Sequence, residues 1–277
     1  MTATASAELL KSLPGGGVLL IGHGTRDAGG HQEFLLLGRR LAAALSPMPV
    51  EISLLELQPP TIPEAWEKLV AAGVRQVIAA PLLLFAAGHA KSDIPAELAR
   101  CAATTPGVDW LQTRPLSRCP ELIDLVADRW EQGIARAASD PAQTAVVVLG
   151  RGSHDPCAQA DLRVLAATVA HRRPVRKVAV AYYAMANPKL TEVLTAVTAD
   201  PKIRDVIVQP HLLFQGAIHQ AVREQVAAAA DRDRQHRYHV ADYLGPDQAV
   251  VAGLIRRIRQ AAAGGSHAAH PQVSRNT

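Results

Sequence analysis

The stretch GGVLLIGHGTRD, Gly16–Asp27, decides the fold of this chain. Within it, four apolar residues at 18–21 run directly into Gly22-His23-Gly24, a pattern typical of a buried strand that stops abruptly. Residues 29–45 have the composition of a helix. Because open parallel sheets bind their ligands at the carboxyl ends of their strands, His23 is predicted to lie at a binding edge.

The rest of the chain continues the alternation of apolar runs and helical segments. Strands are predicted at 18–22, 50–57, 76–85, 108–111, 145–149, 175–182, 203–214 and 238–241. Helices are predicted at 29–45, 62–72, 91–104, 121–138, 157–171, 188–199, 218–231 and 248–263. Strands that alternate with helices of this length indicate βαβ units, and therefore an α/β fold with mostly parallel sheets.

An internal repeat divides the chain into two halves. GHGTRD at 22–27 returns as GRGSHD at 150–155, and PLLLF at 81–85 returns as PHLLF at 210–214. We therefore predict two tandem α/β domains, 16–138 and 145–263, joined by a linker at 139–144. A flexible leader (1–15) and a disordered, polar tail (264–277) are expected to flank them. Two such units facing each other would form a cleft between the carboxyl ends of their sheets.

Composition limits the class of function. Hydrophobic residues make up 48% and charged residues 19% of the 277 residues, which predicts a folded core. The net charge of +4 suits an acidic small molecule, whereas no dense basic stripe with aromatic residues indicates nucleic acid. Three dispersed cysteines indicate neither disulfides nor a cysteine-ligated cluster. We expect no signal peptide and no membrane span, and hence a cytoplasmic protein.

Three residues in the first half are predicted to meet at one edge of its sheet. His23 follows the first strand, Glu56 lies near the end of the second, and His89 follows the third. Two imidazoles and a carboxylate suit a divalent first-row metal ion, and a histidine also accepts protons near neutral pH. Taken singly, each residue has an ordinary structural interpretation, as a hydrogen-bonded histidine or a solvated charge. Their convergence favours a metal site.

The second half does not keep this set. Arg151 corresponds to His23, Ala184 corresponds to Glu56, and the counterpart of His89 falls at Ile218 or His219. The recurring glycines and aspartates are predicted to form tight turns and helix caps. One active half and one binding half are therefore expected. Four residues are candidates for a cationic wall of the cleft, with plain surface solvation as the alternative: Arg151, His154, His211 and His219.

Several common catalytic motifs are absent. The chain has no phosphate-binding G-x-x-x-x-G-K-[ST] loop, and GHGTRD has an aspartate where the dinucleotide-binding fingerprint needs its third glycine. There is no G-x-S-x-G nucleophile elbow. A histidine phosphatase would need Arg-His-Gly after its first strand, whereas Gly22 precedes His23 here. No ATP or other nucleotide is therefore expected as a cofactor.

Three segments resemble a known family. LLIGHGTRD at 19–27, LLELQPPTIPEA at 54–65 and APLLLFAAGHAKSDIP at 80–95 are similar to the sirohydrochlorin cobalto- and ferrochelatases of the class II chelatase superfamily, in their long two-domain form. The resemblance covers roughly 16–263. It implies two Rossmann-like domains that bind an acidic tetrapyrrole between them. It also implies insertion of cobalt or iron into sirohydrochlorin without ATP, as a lyase of cobalamin or siroheme biosynthesis.

The resemblance also assigns roles to residues. His23 and His89 correspond to the family's metal-binding histidines, and Glu56 to their acidic partner. One histidine would take a pyrrole proton as the metal transfers. Arg26, Lys91 and Arg151 are candidates for holding the substrate carboxylates. Because the chain lacks the cysteine segment of some long forms, no iron–sulfur cluster is expected.

Two other functions remain open on sequence grounds. The same residues would serve a metal carrier or sensor without turnover, or a chelatase for another tetrapyrrole or metal such as nickel. His/His/carboxylate sites accept several first-row metals, so the residue types alone do not select one. The expected assembly is a monomer or a weak homodimer, because two fused halves already supply both walls of a cleft.

Overall fold

The computed structural model describes residues 13–85 and 89–264, without the side chains of residues 89 and 90. Most of the predicted leader and tail therefore lies outside the described residues. The three described residues of the predicted leader begin ordered structure, because Leu13 is buried and its carbonyl oxygen accepts a hydrogen bond from the Gly16 amide at 3.0 Å. In the described part of the chain, no helix combines the length and apolarity needed to cross a membrane.

Within the described residues, each half of the chain contains four strands and four α-helices. The first half contains β1 (Gly16–Gly22), α1 (Ala28–Leu45), β2 (Val50–Leu54), α2 (Ile62–Ala71), β3 (Gln76–Pro81), a π-helical turn (His89–Asp93), α3 (Ile94–Thr104), β4 (Asp109–Gln112) and α4 (Pro120–Arg136). A short 3₁₀ turn (Pro141–Gln143) follows. The second half contains β5 (Thr144–Gly150), α5 (Pro156–Arg172), β6 (Lys177–Tyr182), α6 (Leu190–Thr198), β7 (Asp205–Pro210), α7 (Ala217–Arg232), β8 (Arg237–Val240) and α8 (Gln248–Ala263).

Two parallel four-stranded sheets confirm the predicted α/β class. Their strand orders are β2-β1-β3-β4 and β6-β5-β7-β8, so the two halves have the same topology. The inner strands β1 and β5 are buried along their whole length, which explains their unbroken apolar sequences. Because β2 and β3 flank β1, the residues that follow these three strands emerge at one edge of the first sheet.

Three predicted strands end three or four residues earlier than expected. β2 ends at Leu54 instead of residue 57, β3 ends at Pro81 instead of residue 85, and β7 ends at Pro210 instead of residue 214. Beyond β3 the chain makes a tight turn, in which the Leu83 amide donates to the Pro81 carbonyl oxygen at 2.9 Å. The apolar run continues because its side chains pack on the core, with Leu82 only 3% exposed. The apolar residues that follow β3 therefore indicate that the segment is buried, and they do not indicate how far the strand extends.

The last helix of each half packs on the sheet of the other half. α8 contacts α1, β3 and β4, whereas α4 contacts α5 and β7. Gly133 of α4 shows how close this approach is, since a Cβ there would lie 3.2 Å from both Ile207 and Ala241. One central hydrophobic core therefore runs through both halves, and each outer sheet face has a smaller core of its own. The boundaries 16–138 and 145–263 remain predictions about the sequence repeats.

Candidate active site

The turn after β1 presents His23 at the carboxyl edge of the first sheet. Gly22 is closely packed, because a Cβ there would lie 2.7 Å from the ring of Phe34. Gly24 has a φ of 97°, which favours glycine. Asp27 then caps α1 by accepting a hydrogen bond from the Gly30 amide at 2.7 Å. The glycines and the aspartate therefore build the scaffold, and His23 is half-buried on it.

Glu56 lies directly beside this turn. The Leu55 amide donates to the Gly22 carbonyl oxygen at 2.9 Å, and the Glu56 amide donates to the His23 carbonyl oxygen at 3.1 Å. A Cβ at Gly24 would collide with the Glu56 carbonyl oxygen, so only glycine permits this approach. The structure thus places His23 and Glu56 at adjacent backbone positions, with the Glu56 side chain exposed. We refer to this pairing as the His23–Glu56 junction.

The third member of the predicted set begins the π-helical turn that leads into α3. The side chain of His89 lies outside the described residues, as do residues 86–88. Among the described side chains, no three or more histidines, cysteines and acidic residues are grouped as ligands of a metal ion. The meeting of His23, Glu56 and His89 therefore remains a prediction.

The second half repeats the backbone of the junction without its side chains. The Tyr183 amide donates to the Gly150 carbonyl oxygen at 2.9 Å, and the Ala184 amide donates to the Arg151 carbonyl oxygen at 2.8 Å. Gly152 has a φ of 95°, close to the value at Gly24. The structure therefore confirms that Arg151 and Ala184 occupy the positions of His23 and Glu56. A cation and a methyl group replace the imidazole and the carboxylate.

A cavity of about 450 Å³ lies between the carboxyl edges of the two sheets, where the repeat predicts a cleft. His23 and Phe85 line it from the first half, and Arg151 and Tyr182 line it from the second. His23 also lines a smaller cavity of about 180 Å³ beside α1, together with His31. His23 thus lies between two cavities at the interface of the two halves.

The predicted cations of the cleft differ in their surroundings. Arg26 and Arg151 are exposed, and Arg151 lines the larger cavity. Lys91 is already paired, since its Nζ lies 2.6 Å from Asp155 Oδ2 in the other half. This hydrogen bond raises the pKa of Lys91 and lowers that of Asp155. His154 is exposed and does not line the cavities described above.

Two histidines do not fit the predicted cationic wall. His211 lines the cavity but is 3% exposed, and burial lowers its pKa to about 4, so its imidazole is neutral at pH 7. His219 packs its ring 4.7 Å from that of Tyr243, outside the lining of either cavity. Burial, and secondarily the Arg223 charge, lower its pKa. Burial therefore disfavours a positive charge at both positions, and the sequence alone does not reveal this desolvation.

Several residues that line the cavity belong to none of the motifs found in the sequence. Tyr182 ends β6 and its hydroxyl donates to the Gln159 carbonyl oxygen at 3.2 Å, while Met185 lies in the following loop. The internal repeat could have pointed to both residues, because it aligns their segment with residues 54–57, which contain Glu56. Met185 is the counterpart of Leu57, the residue after Glu56.

Comparison with known proteins identifies the family. A family model, CbiX, matches residues 17–133 and matches again at 145–261. The chain belongs to the CbiX family. Its CbiX repeats coincide with the two parallel sheets and their helices, which is the arrangement that the internal repeat predicts.

Relatives of this CbiX chain include proteins named as chelatases. The sirohydrochlorin ferrochelatase of Bacillus subtilis is 32% identical over 89% of this chain and 92% of its own length. The sirohydrochlorin cobaltochelatase of Priestia megaterium is 27% identical over 82% of this chain and 74% of its own length. The structure of SirB from Bacillus subtilis with Fe³⁺ superposes with a TM-score of 0.81 at 29% identity, covering 90% of this chain and 96% of that one. A SirB structure in complex with cobalt, from the subspecies spizizenii, has a TM-score of 0.76.

Proposed function

We propose that this chain is a sirohydrochlorin chelatase, a lyase that inserts a divalent cobalt or iron ion into sirohydrochlorin without ATP. The observation that carries the proposal is the His23–Glu56 junction, which is present in the first CbiX repeat and replaced in the second. Relatives named as sirohydrochlorin ferrochelatase and cobaltochelatase, which align over most of both chains, support this substrate.

The metal ion is a substrate in this reaction, and we assign its capture to the first half. Two neutral imidazoles, His23 and His89, would hold it together with the Glu56 carboxylate. Ligand exchange would then move the ion from these side chains to the four pyrrole nitrogens. Insertion releases two pyrrole protons for each divalent ion; the histidine that the metal leaves would accept one of them, and the other would pass to solvent water. The charge of the macrocycle core balances in this way.

Substrate binding is assigned to the cleft. Sirohydrochlorin is a polycarboxylate, and exposed guanidinium groups at Arg26 and Arg151 suit carboxylates through paired hydrogen bonds. Lys91 would exchange Asp155 for a substrate carboxylate. His211 contributes shape and no positive charge, because its imidazole is neutral at pH 7. His154 and His219 have no position in the described cavities that supports a direct role.

An absorbance assay with sirohydrochlorin and Co²⁺, Fe²⁺ or Ni²⁺ in separate cuvettes tests the proposal. We expect the metal-free spectrum to convert to that of the metallated product with Co²⁺ or Fe²⁺, at a rate proportional to protein concentration and without ATP. A metal carrier would bind the ion and leave the macrocycle spectrum unchanged. Exclusive turnover with Ni²⁺, or no acceleration with any of the ions, would contradict the proposal.

A further inference from the structure

Two equivalent turns beside the cleft contain strained residues. Leu57 has a φ of 73° and Met185 a φ of 56°, both in the left-handed region. In each turn the next residue donates its amide to the carbonyl oxygen of the preceding one, at 3.0 Å from Gln58 to Glu56 and at 2.7 Å from Ala186 to Ala184. These are the hydrogen bond and the φ sign of the classic γ-turn, which is rare and costly for residues with a Cβ.

The strained residues also expose large apolar side chains. Leu57 is 53% exposed and Met185 is 38% exposed; within the described part of the chain, Val164 is the other exposed large hydrophobic residue, at 46%. Glycine would adopt the same turn at lower cost, and a polar side chain would be better solvated. Stability therefore does not account for leucine and methionine at these two equivalent positions. Backbone strain that occurs at equivalent positions in both halves, without a benefit to stability, points to a functional role for these residues.

Both turns are attached to the loops that carry the candidate site. The residue before Leu57 is Glu56, whose amide donates to His23, and the residue before Met185 is Ala184, whose amide donates to Arg151. Gly24 and Gly152 leave no room for a Cβ against the carbonyl oxygens of Glu56 and Ala184. The turns are therefore held against the carboxyl edges of the sheets.

We propose that Leu57 and Met185 are substrate-binding residues that contact the apolar surface of the tetrapyrrole macrocycle. Met185 already lines the 450 Å³ cavity. Leu57 directly follows Glu56, whose amide donates to the carbonyl oxygen of the cavity-lining His23. A thioether is flexible and polarisable, and it packs well on a conjugated ring. The proposed cations of the cleft bind the carboxylates at the edge of the macrocycle. The apolar side chains of Leu57 and Met185 would bind the face of its ring. This inference rests on the proposed function.

The test measures binding of metal-free sirohydrochlorin, without turnover, to the full-length chain. Met185→Ala is expected to raise the Kd roughly tenfold, the effect of removing one well-buried apolar side chain. Met185→Leu should restore most of the affinity. Met185→Gly should lose the same affinity as Met185→Ala and yet unfold at a higher temperature than Met185→Ala, since glycine relieves the positive φ. Val164→Ala is the matched control, because it shortens an apolar residue outside the turns whose exposure, 46%, lies between those of Met185 and Leu57.

Steady-state kinetics separates the loss of a substrate-binding contact from a general structural defect. In Met185→Ala we expect KM to rise with Kd while kcat at saturating substrate stays near the wild-type value, because the proposed metal ligands are untouched. Leu57→Met should retain affinity, and Leu57→Ala should lose it.

Two results would overturn the inference while leaving the proposed function standing. In the first, the wild type binds sirohydrochlorin and both alanine variants bind it equally well. In the second, Val164→Ala weakens binding as much as Met185→Ala. If the wild type itself binds no sirohydrochlorin, the proposed function fails, and this inference fails with it.

Discussion

At the scale of single residues, the duplicated fold contains its own control for the candidate metal site. The backbone hydrogen bonds around His23 recur around Arg151, and those at Glu56 recur at Ala184. The imidazole and carboxylate are therefore not required to form the turn. The His23 side chain, which the backbone does not need and which lines the cleft, is therefore the leading candidate for chemistry.

Replacing the proposed histidine ligands should abolish catalysis and leave the fold intact. We expect His23→Ala and His89→Ala each to lower the rate of metal insertion by on the order of 100-fold or more, because each removes a ligand and a candidate proton acceptor. Initial rates from absorbance, together with circular dichroism, measure both properties. Near-normal insertion by both variants would refute the assignment.

Arg151 offers a test of the division of labour between the halves. Arg151→Ala should mainly raise the Michaelis constant for sirohydrochlorin, since the guanidinium lines the cavity and is proposed to bind carboxylates. Arg151→Lys should recover part of the affinity but not paired hydrogen bonding. A loss of turnover at unchanged Michaelis constant would contradict a binding role.

Burial of His211 predicts a stability that depends on pH. Its pKa is about 4 in the folded protein and about 6.5 in the unfolded chain, so the unfolded state binds more protons between these values. Stability should therefore fall as pH drops from 6.5 towards 4, by up to roughly 3 kcal/mol. His211→Leu should flatten this part of the profile in urea unfolding at pH 7 and pH 5. An unchanged slope in the variant would show that other groups cause it.

At the scale of elements, helix caps show that local chemistry survives the duplication. Asp27 caps α1 through the Gly30 amide, and Asp155 caps α5 through the Cys157 amide at 2.8 Å. Both aspartates come five residues after the glycine that ends the preceding strand. The spacing from strand end to helix start is therefore the same in both halves.

The cap of α1 makes a separable contribution to stability. Asp27→Ala should lower the free energy of unfolding by about 1 kcal/mol, because the Gly30 amide loses its partner, whereas Asp27→Asn should cost less. Thermal and denaturant unfolding measure the difference. If Asp27→Asn costs as much as Asp27→Ala, the charge of Asp27 matters more than its capping hydrogen bond.

At the scale of the whole molecule, exchange of the last helices couples the halves. α8 covers the first sheet and α4 covers the second, so neither half has a complete core without the other. Polar contacts also join the halves beside the cleft. Lys91 pairs with Asp155 on one side, and on the other Glu33 of α1 accepts hydrogen bonds from the Gln215 amide at 2.9 Å and the Tyr243 hydroxyl at 2.6 Å.

This coupling predicts one cooperative unfolding transition. Gly133→Val should destabilise the protein by about 1–3 kcal/mol, because the added methyl groups press α4 against Ile207 and Ala241 of the other half. Calorimetry should show a single peak that moves as a whole to lower temperature. Two peaks, of which only one moves, would mean that the halves unfold independently.

The sequence by itself determined the α/β class, the duplication, the caps and the His23–Glu56 junction. These features follow from hydrophobic periodicity, from capping and turn chemistry, and from repeats that can be aligned. Each of these features is encoded by residues close together in sequence, and the duplication is such a pattern occurring twice. Predicting them therefore requires no information about residues that are distant in sequence. Even the loss of the junction in the second half can be read from Arg151 and Ala184.

Only the tertiary structure decided which residues are desolvated, paired or strained. The neutrality of His211 and the engagement of Lys91 by Asp155 depend on segments that lie far away in sequence. So do the contacts of Gly24 and Gly152 that hold the turns at Leu57 and Met185 in place. The early ends of β2, β3 and β7 and the exchange of α4 and α8 have the same origin. An apolar run shows that a segment is buried, but the packing partner determines its conformation and the element that covers it.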